Sequence, residues 1–338
     1  MNQRIAHHQD CDLFGLLYGY RFRPGKAGEE IDSTTALECL RSPGAPDEFI
    51  WLHLNLAHAS CERWLKTHLE LPDEFLEVLH EGSRSTRIEH VDSALLAVVN
   101  DVVFDFNRVS TDIATLWVCL RSNLMISTRQ HPLRSVDRLR SSVKKGEQFR
   151  SPLELLAHLL RDQSEVLTQF MRKTSISVDK IEDQLLSQRL SSNRSELGAM
   201  RRVLVRLQRL LALEPGSLMR LLHRPPQWLL EEDLQELRQS TEESALVVSD
   251  LTALGERIKL LQEEIAANLN EQSSRTLFTL TVVTVLALPI NIVAGFFGMN
   301  VGGIPLASDP HGFWVLVAFV ATFTFIAGRW AFRKSRDF

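Results

Sequence analysis

The chain has 338 residues, with 38 Lys and Arg against 42 Asp and Glu, a net charge of −4 and 24% charged side chains. That length holds a soluble domain of ordinary size plus further elements, and the charge balance is an ordinary one from which no nucleic-acid partner is expected. The averages conceal a segregation: residues 276–308 and 312–328 contain no Lys, Arg, Asp, Glu or His, while everything before Arg275 is rich in charge.

In chain order, the opening MNQRIAHHQDCDLFG has no apolar run of the kind a secretory signal carries, so residues 1–150 are expected to be a cytoplasmic domain. Cys11, Cys39, Cys61 and Cys119 form no CxxC pair and fit no zinc-finger spacing, so reduced cytosolic thiols are expected. The domain reads as α/β. Strands are predicted at 49–56 (FIWLHLNL), within 93–106 (SALLAVVNDVVFDF) and over 113–129 (IATLWVCLRSNLMISTR), the last with a hairpin turn near Ser122-Asn123. Helices are predicted within 59–71 and 72–82, the second stopping at Gly82. His7, His8, His53 and His58 are scattered, and neither a fixed metal ligand nor a tightly bound cofactor is expected. The chain contains no Walker loop, GxSxG, HExxH or dinucleotide fingerprint, so an enzyme is not expected.

Residues 151–275 read as a long helical stalk. One helix is predicted from 152 to 187 and a second from 194 to 213, ending at Glu214-Pro215-Gly216. After Pro225-Pro226 no proline occurs between Trp228 and Pro289, about 60 residues, or roughly 90 Å if helical throughout. Within it Val247, Leu251, Leu254, Ile258, Leu261 and Ile265 step by four and three, a heptad-like packing seam.

Residues 276–298 and 313–332 are long and apolar enough to cross a hydrocarbon core of about 30 Å. Trp314 and Trp330 sit near the ends of the second crossing as interface anchors. The connecting residues 299–312 carry no Lys or Arg, whereas Arg275 precedes the first crossing and Arg329, Arg333, Lys334 and Arg336 stand at the end of the second and in the tail, 333–338. The positive-inside rule then puts both termini in the cytoplasm and the loop outside. On the first crossing, every third or fourth residue forms a stripe of polar and small side chains: Leu277, Thr281, Thr284, Leu288, Asn291, Gly295 and Gly298. An amide such as that of Asn291 is costly against lipid, so the stripe faces either a partner helix or water; helix packing and a pore both satisfy that. Two helices cannot enclose a pore, so a pore demands a ring of subunits.

Gly298-Met299-Asn300 follows the first crossing directly, after LPINIVAGFF with Pro289 and Ala294-Gly295. This arrangement resembles the CorA superfamily of divalent cation transporters, whose signature is Gly-Met-Asn at that place. The continuation GMNVGGIPL looks most like the ZntB branch, associated with zinc. Magnesium-type members usually carry acids soon after the tripeptide, whereas here Val301-Gly302-Gly303-Ile304-Pro305 follows and the nearest acid is Asp309. The resemblance implies an α+β membrane protein: an N-terminal cytoplasmic α/β domain, long stalk helices forming a funnel, and two C-terminal transmembrane helices. It also implies a homopentamer in a bacterial inner membrane, with itself, the bilayer and divalent cations as partners. Zinc is the favoured cargo, with magnesium, cobalt or nickel as the alternative and a non-transporting membrane-anchored protein as the weaker one. The family's pore-lining positions fall on Leu277, Thr284, Leu288 and Asn291, and its outer mouth on Gly298, Met299 and Asn300, where Asn300 would touch a hydrated ion. Continued inward, the stripe reaches Glu263 and Glu256, largely opposite the apolar seam. These are either solvated stalk residues or, in a funnel, acidic rings that concentrate cations.

Overall fold

The computed structural model describes residues 11–41, 47–82, 86–102, 113–186, 193–212, 214–299 and 311–334. Asn300, His7 and His8 lie outside them. The chain divides into two compact units, Met1–Leu261 and Gln262–Phe338.

In the first unit, strands β1 (Leu16–Phe22), β2 (Glu29–Ile31), β3 (Phe49–Asn55), β4 (Arg87–Val91), β5 (Ala94–Val102), β6 (Ile113–Arg121) and β7 (Leu124–Arg129) form one sheet in the order β2-β1-β3-β7-β6-β5-β4. Every neighbouring pair is antiparallel except β3 and β7, which run parallel with Leu52 opposite Ile126. The hairpin predicted over 113–129 is present and turns at Ser122-Asn123. In β3 all residues from Phe49 to Leu54 are buried, because both faces of the sheet are covered.

Helices α1 (Ser33–Arg41), α2 (Cys61–His68) and α3 (Asp73–Glu81) cover one face, where Ala36, Trp64, Leu65, Phe75 and Leu79 pack on Leu52, Leu54, Trp117 and Ile126. Gly82 ends α3 in the left-handed conformation, φ 63°, with its N–H turned back to the carbonyls of Val78 and Leu79. The other face is covered by α4 (Arg134–Lys144), the start of α5 (Pro152–Leu186), α7 (Glu214–His223) and the start of α8 (Glu231–Phe297). The first helix predicted in the stalk is α5, and its Leu153, Leu156, Leu159 and Leu160 belong to the sheet's own core. The second is α6 (Asn193–Leu211). Glu214-Pro215-Gly216 does more than end it: these residues start α7, because proline's missing N–H costs nothing in a first helical turn.

Helix α8 has 67 residues and opens with Glu231, Glu232 and Asp233, acids at the positive end of its dipole. The seam Val247, Leu251, Leu254, Ile258, Leu261 and Ile265 is buried, each residue no more than 8% exposed. Polar contacts flank it: Arg257 pairs with Asp179 of α5 at 2.7 Å and with Glu182, and Gln208 of α6 donates to the Thr252 hydroxyl at 3.1 Å. In the second unit α8 runs through the first apolar segment, and α9 (Gly312–Lys334) contains the other.

Candidate functional site

The membrane part of α8 presents two unlike faces. Val282 is 9% exposed, and Leu286, Ile290 and Val293 are half-buried. Stepping by 100° per residue, these four share one side of the helix. Gly328 of α9 comes so close to that side that a Cβ there would stand 3.9 Å from Leu286 Cδ1. Small residues at such crossings let helix backbones approach.

The polar stripe lies on the far side. Leu277, Thr281, Thr284, Leu288, Asn291, Gly295, Gly298 and Met299 are all exposed in the single chain. Leu277 and Leu288 each stand at 61%. They do not converge on one point; they run along the helix for about 31 Å from 277 to 298. The Thr281 and Thr284 hydroxyls donate to the carbonyls of Leu277 and Leu280 at 2.8 and 2.9 Å. With their protons committed to the helix, both present only oxygen lone pairs outward. Pro289 lies inside α8 without an N–H, so the carbonyl of Val285, about 9 Å before Asn291 along the helix, loses its helical donor. At the helix end the Gly298 N–H shares the carbonyls of Ala294 at 3.0 Å and Gly295 at 3.2 Å. A Cβ on Gly298 would meet Ala294 O at 3.2 Å, which fits glycine at that turn.

Farther inward, Glu256 and Glu263 are exposed on α8, on the side away from the buried seam. Glu256 lies 3.5 Å from Lys259, a surface pair of small energetic weight. Arg275, just before the apolar run, pairs with Glu271 at 2.6 Å.

Among the described residues no group of three or more His, Cys, Asp or Glu side chains is placed to hold a metal ion. His53 is buried against Ser127, while the His58 Nδ1 accepts the Ser60 N–H at 3.3 Å, so the two serve separate local structures. Burial pushes the thiols of Cys61 and Cys119 up to about 12, which keeps them protonated and poor ligands.

Residues 46–334 match the family model described as CorA-like Mg2+ transporter protein. The chain is 28% identical over 338 residues to the divalent cation transporter CmaX of Pseudomonas aeruginosa, covering 97% of this chain and 98% of that one. It is 25% identical over 263 residues to the zinc transport protein ZntB of Pectobacterium atrosepticum, covering 78% and 80%. Among solved structures, full-length CmaX superposes with a TM-score of 0.80 at 26% identity over 97% of this chain and 99% of that chain. The CorA magnesium transporter of Methanocaldococcus jannaschii does so with a TM-score of 0.73 at 18% identity, over 92% and 96%, a likeness of fold.

Proposed function

The chain belongs to the CorA-like Mg2+ transporter family and is a divalent cation transporter; on that premise we propose that it moves hydrated zinc, or a similar transition cation, through a central pore lined by the stripe on α8. The observation that carries this reading is the division of α8 into two faces. One side is occupied by α9 from the same chain, and the opposite side, holding Thr281, Thr284 and Asn291, is left exposed where a second copy or water must meet it. A closed ring of copies, five by family resemblance, brings that side to the axis.

In such a ring the Asn291 amides converge about 14 Å inside Asn300 along the helix. They and the Thr281 and Thr284 oxygens accept hydrogen bonds from the ion's water shell. Leu288 forms an apolar constriction that closes by dewetting. No thiolate, imidazole or carboxylate occurs from 276 to 308, so the ion keeps its water and selectivity among small divalent cations is modest. Glu256 and Glu263, as rings on the cytoplasmic side, raise the local cation concentration. The preference for zinc over magnesium rests on Val301-Gly302-Gly303-Ile304-Pro305 in place of acids, and on relatives described as zinc transport proteins. The membrane is the bacterial inner membrane, with both termini in the cytoplasm.

The test is uptake into proteoliposomes with zinc, magnesium, cobalt, nickel and cadmium compared at two pH gradients, for the parent chain, Asn291→Leu and Leu288→Ser. The pore reading expects Asn291→Leu to keep its oligomer and lose most flux, and Leu288→Ser to leak. Normal transport by Asn291→Leu, or a dispersed oligomer in that variant, assigns the stripe to helix packing instead. Magnesium flux well above zinc flux overturns the choice of cargo.

A further inference from the structure

Pro289 leaves one backbone acceptor of the membrane segment without its helical partner. Proline has no N–H to give the carbonyl of Val285, four positions earlier in α8, and its ring crowds that carbonyl outward. In a hydrocarbon core such an acceptor must be met by a neighbouring side chain, by a second chain or by water.

The side chains of this chain do not meet it. Thr276, Thr279, Thr281, Thr284, Thr322 and Thr324 are the threonines of the two apolar segments. Each donates its hydroxyl to the carbonyl four residues earlier on its own helix, at 2.7–2.9 Å. A hydroxyl has one proton, so none is left for Val285. Among the described residues no side chain donates to its oxygen. Helix α9 also leaves this part of α8 open: Gly328 comes against Leu286, while Val285 and Leu288 stand 62% and 61% exposed. In projection Val285 lies about 40° from Thr281 and about 60° from Leu288, at the edge of the stripe.

A cation that keeps its water presents hydrogens outward, so its path needs acceptors. Thr281 and Thr284, their protons committed, offer lone pairs only. The Val285 carbonyl adds a third acceptor beside them, one fixed by the backbone rather than carried on a rotamer. We infer that this carbonyl faces the water-filled path and, repeated in each copy of the ring, receives the cation's water shell just inside the Leu288 constriction, with Pro289 keeping the oxygen free. The inference rests on the pore reading of α8 and adds a backbone site to it.

The test uses the full-length protein in proteoliposomes, with uptake of zinc, cobalt and magnesium followed. Pro289→Ala supplies the missing N–H and closes the hydrogen bond. In a second variant, lactic acid replaces Pro289 by nonsense suppression. Its ester oxygen carries no hydrogen and it has no ring, so the proline is gone while the Val285 carbonyl stays free. We expect both variants to keep the parent's native mass, Pro289→Ala to lose about tenfold in uptake, and the ester variant to transport like the parent. Parental uptake by Pro289→Ala would overturn the site. An equal loss in both variants would overturn it too, by assigning the effect to the bend that the ring imposes. A dispersed oligomer in Pro289→Ala would do the same, by assigning the oxygen to packing between copies. Asn291→Leu, measured alongside, separates this inference from the pore reading. Lost flux there with parental uptake in Pro289→Ala overturns the carbonyl site alone, whereas parental uptake in both removes the pore with it.

Discussion

Glu214 shows how a single buried group sets a pH dependence. It begins α7 at 2% exposure, and one carboxylate oxygen has no partner while the other is 3.4 Å from Gln163 Nε2. Burial raises its carboxyl from 4.5 to about 8; the charge of Asp101 adds to the rise and the Gln163 hydrogen bond opposes it. The folded form thus holds its proton more tightly than the unfolded chain does. The resulting stability is fully present below about pH 4.5, and it is lost progressively as pH rises toward 8. Glu214→Gln, neutral at every pH, should flatten that decline. Thermal midpoints at pH 5 and pH 8.5 should differ less in the variant than in the parent, and equal differences would show that another group controls the slope.

Among the elements, α8 carries two kinds of apolar residue that sequence alone does not separate. Ile258 is 0% exposed within the seam, while Leu260, two positions on, is 62% exposed beside the Glu256–Glu263 side. Truncating Ile258 to Ala leaves a cavity against the neighbouring helices and should cost about 2–5 kcal/mol. Leu260→Ala should change stability by less than about 0.5 kcal/mol, as expected for a residue turned to solvent or to a water-filled lumen. Denaturant titration of both variants in detergent checks the contrast, and similar losses would show that Leu260 is packed in the assembled protein. Helix α3 offers a smaller test. Gly82 sits at φ 63°, so Gly82→Ala should cost about 1–2 kcal/mol with the fold intact, read from the thermal midpoint.

For the whole molecule, the orientation proposed above, with both termini in the cytoplasm, rests on the Lys and Arg asymmetry around the two crossings. A single cysteine at Ser308, with Cys11, Cys39, Cys61 and Cys119 replaced, should react with an impermeant thiol reagent added from outside intact spheroplasts. Reaction only after the cytoplasmic side is opened would reverse the topology. Native mass measurement in mild detergent should give a closed ring, five copies by family resemblance. A monomer or dimer would leave two helices per chain unable to enclose a path, and the pore would have to be abandoned.

What the sequence determined by itself is what short-range periodicity encodes. The 113–129 hairpin, the long helices, the seam from Val247 to Ile265 and the two apolar segments all rest on spacings of two, three to four, or twenty residues. Strands β1 and β4 and helix α4 escaped that reading, because β1 alternates weakly when both sheet faces are covered and β4 is short. The tertiary structure alone decided which distant residues meet. His53 read as one of several scattered histidines, yet the parallel pairing of β3 with β7 places it against Ser127, 74 residues away, under the arginines of β7 and α4. Glu214 read as part of a helix stop and became a buried acid beside Gln163, 51 residues away. Which side of α8 is covered was decided only by α9, whose Gly328 comes against Leu286. In each case the deciding term is burial against a partner remote in the chain, and no local pattern records it.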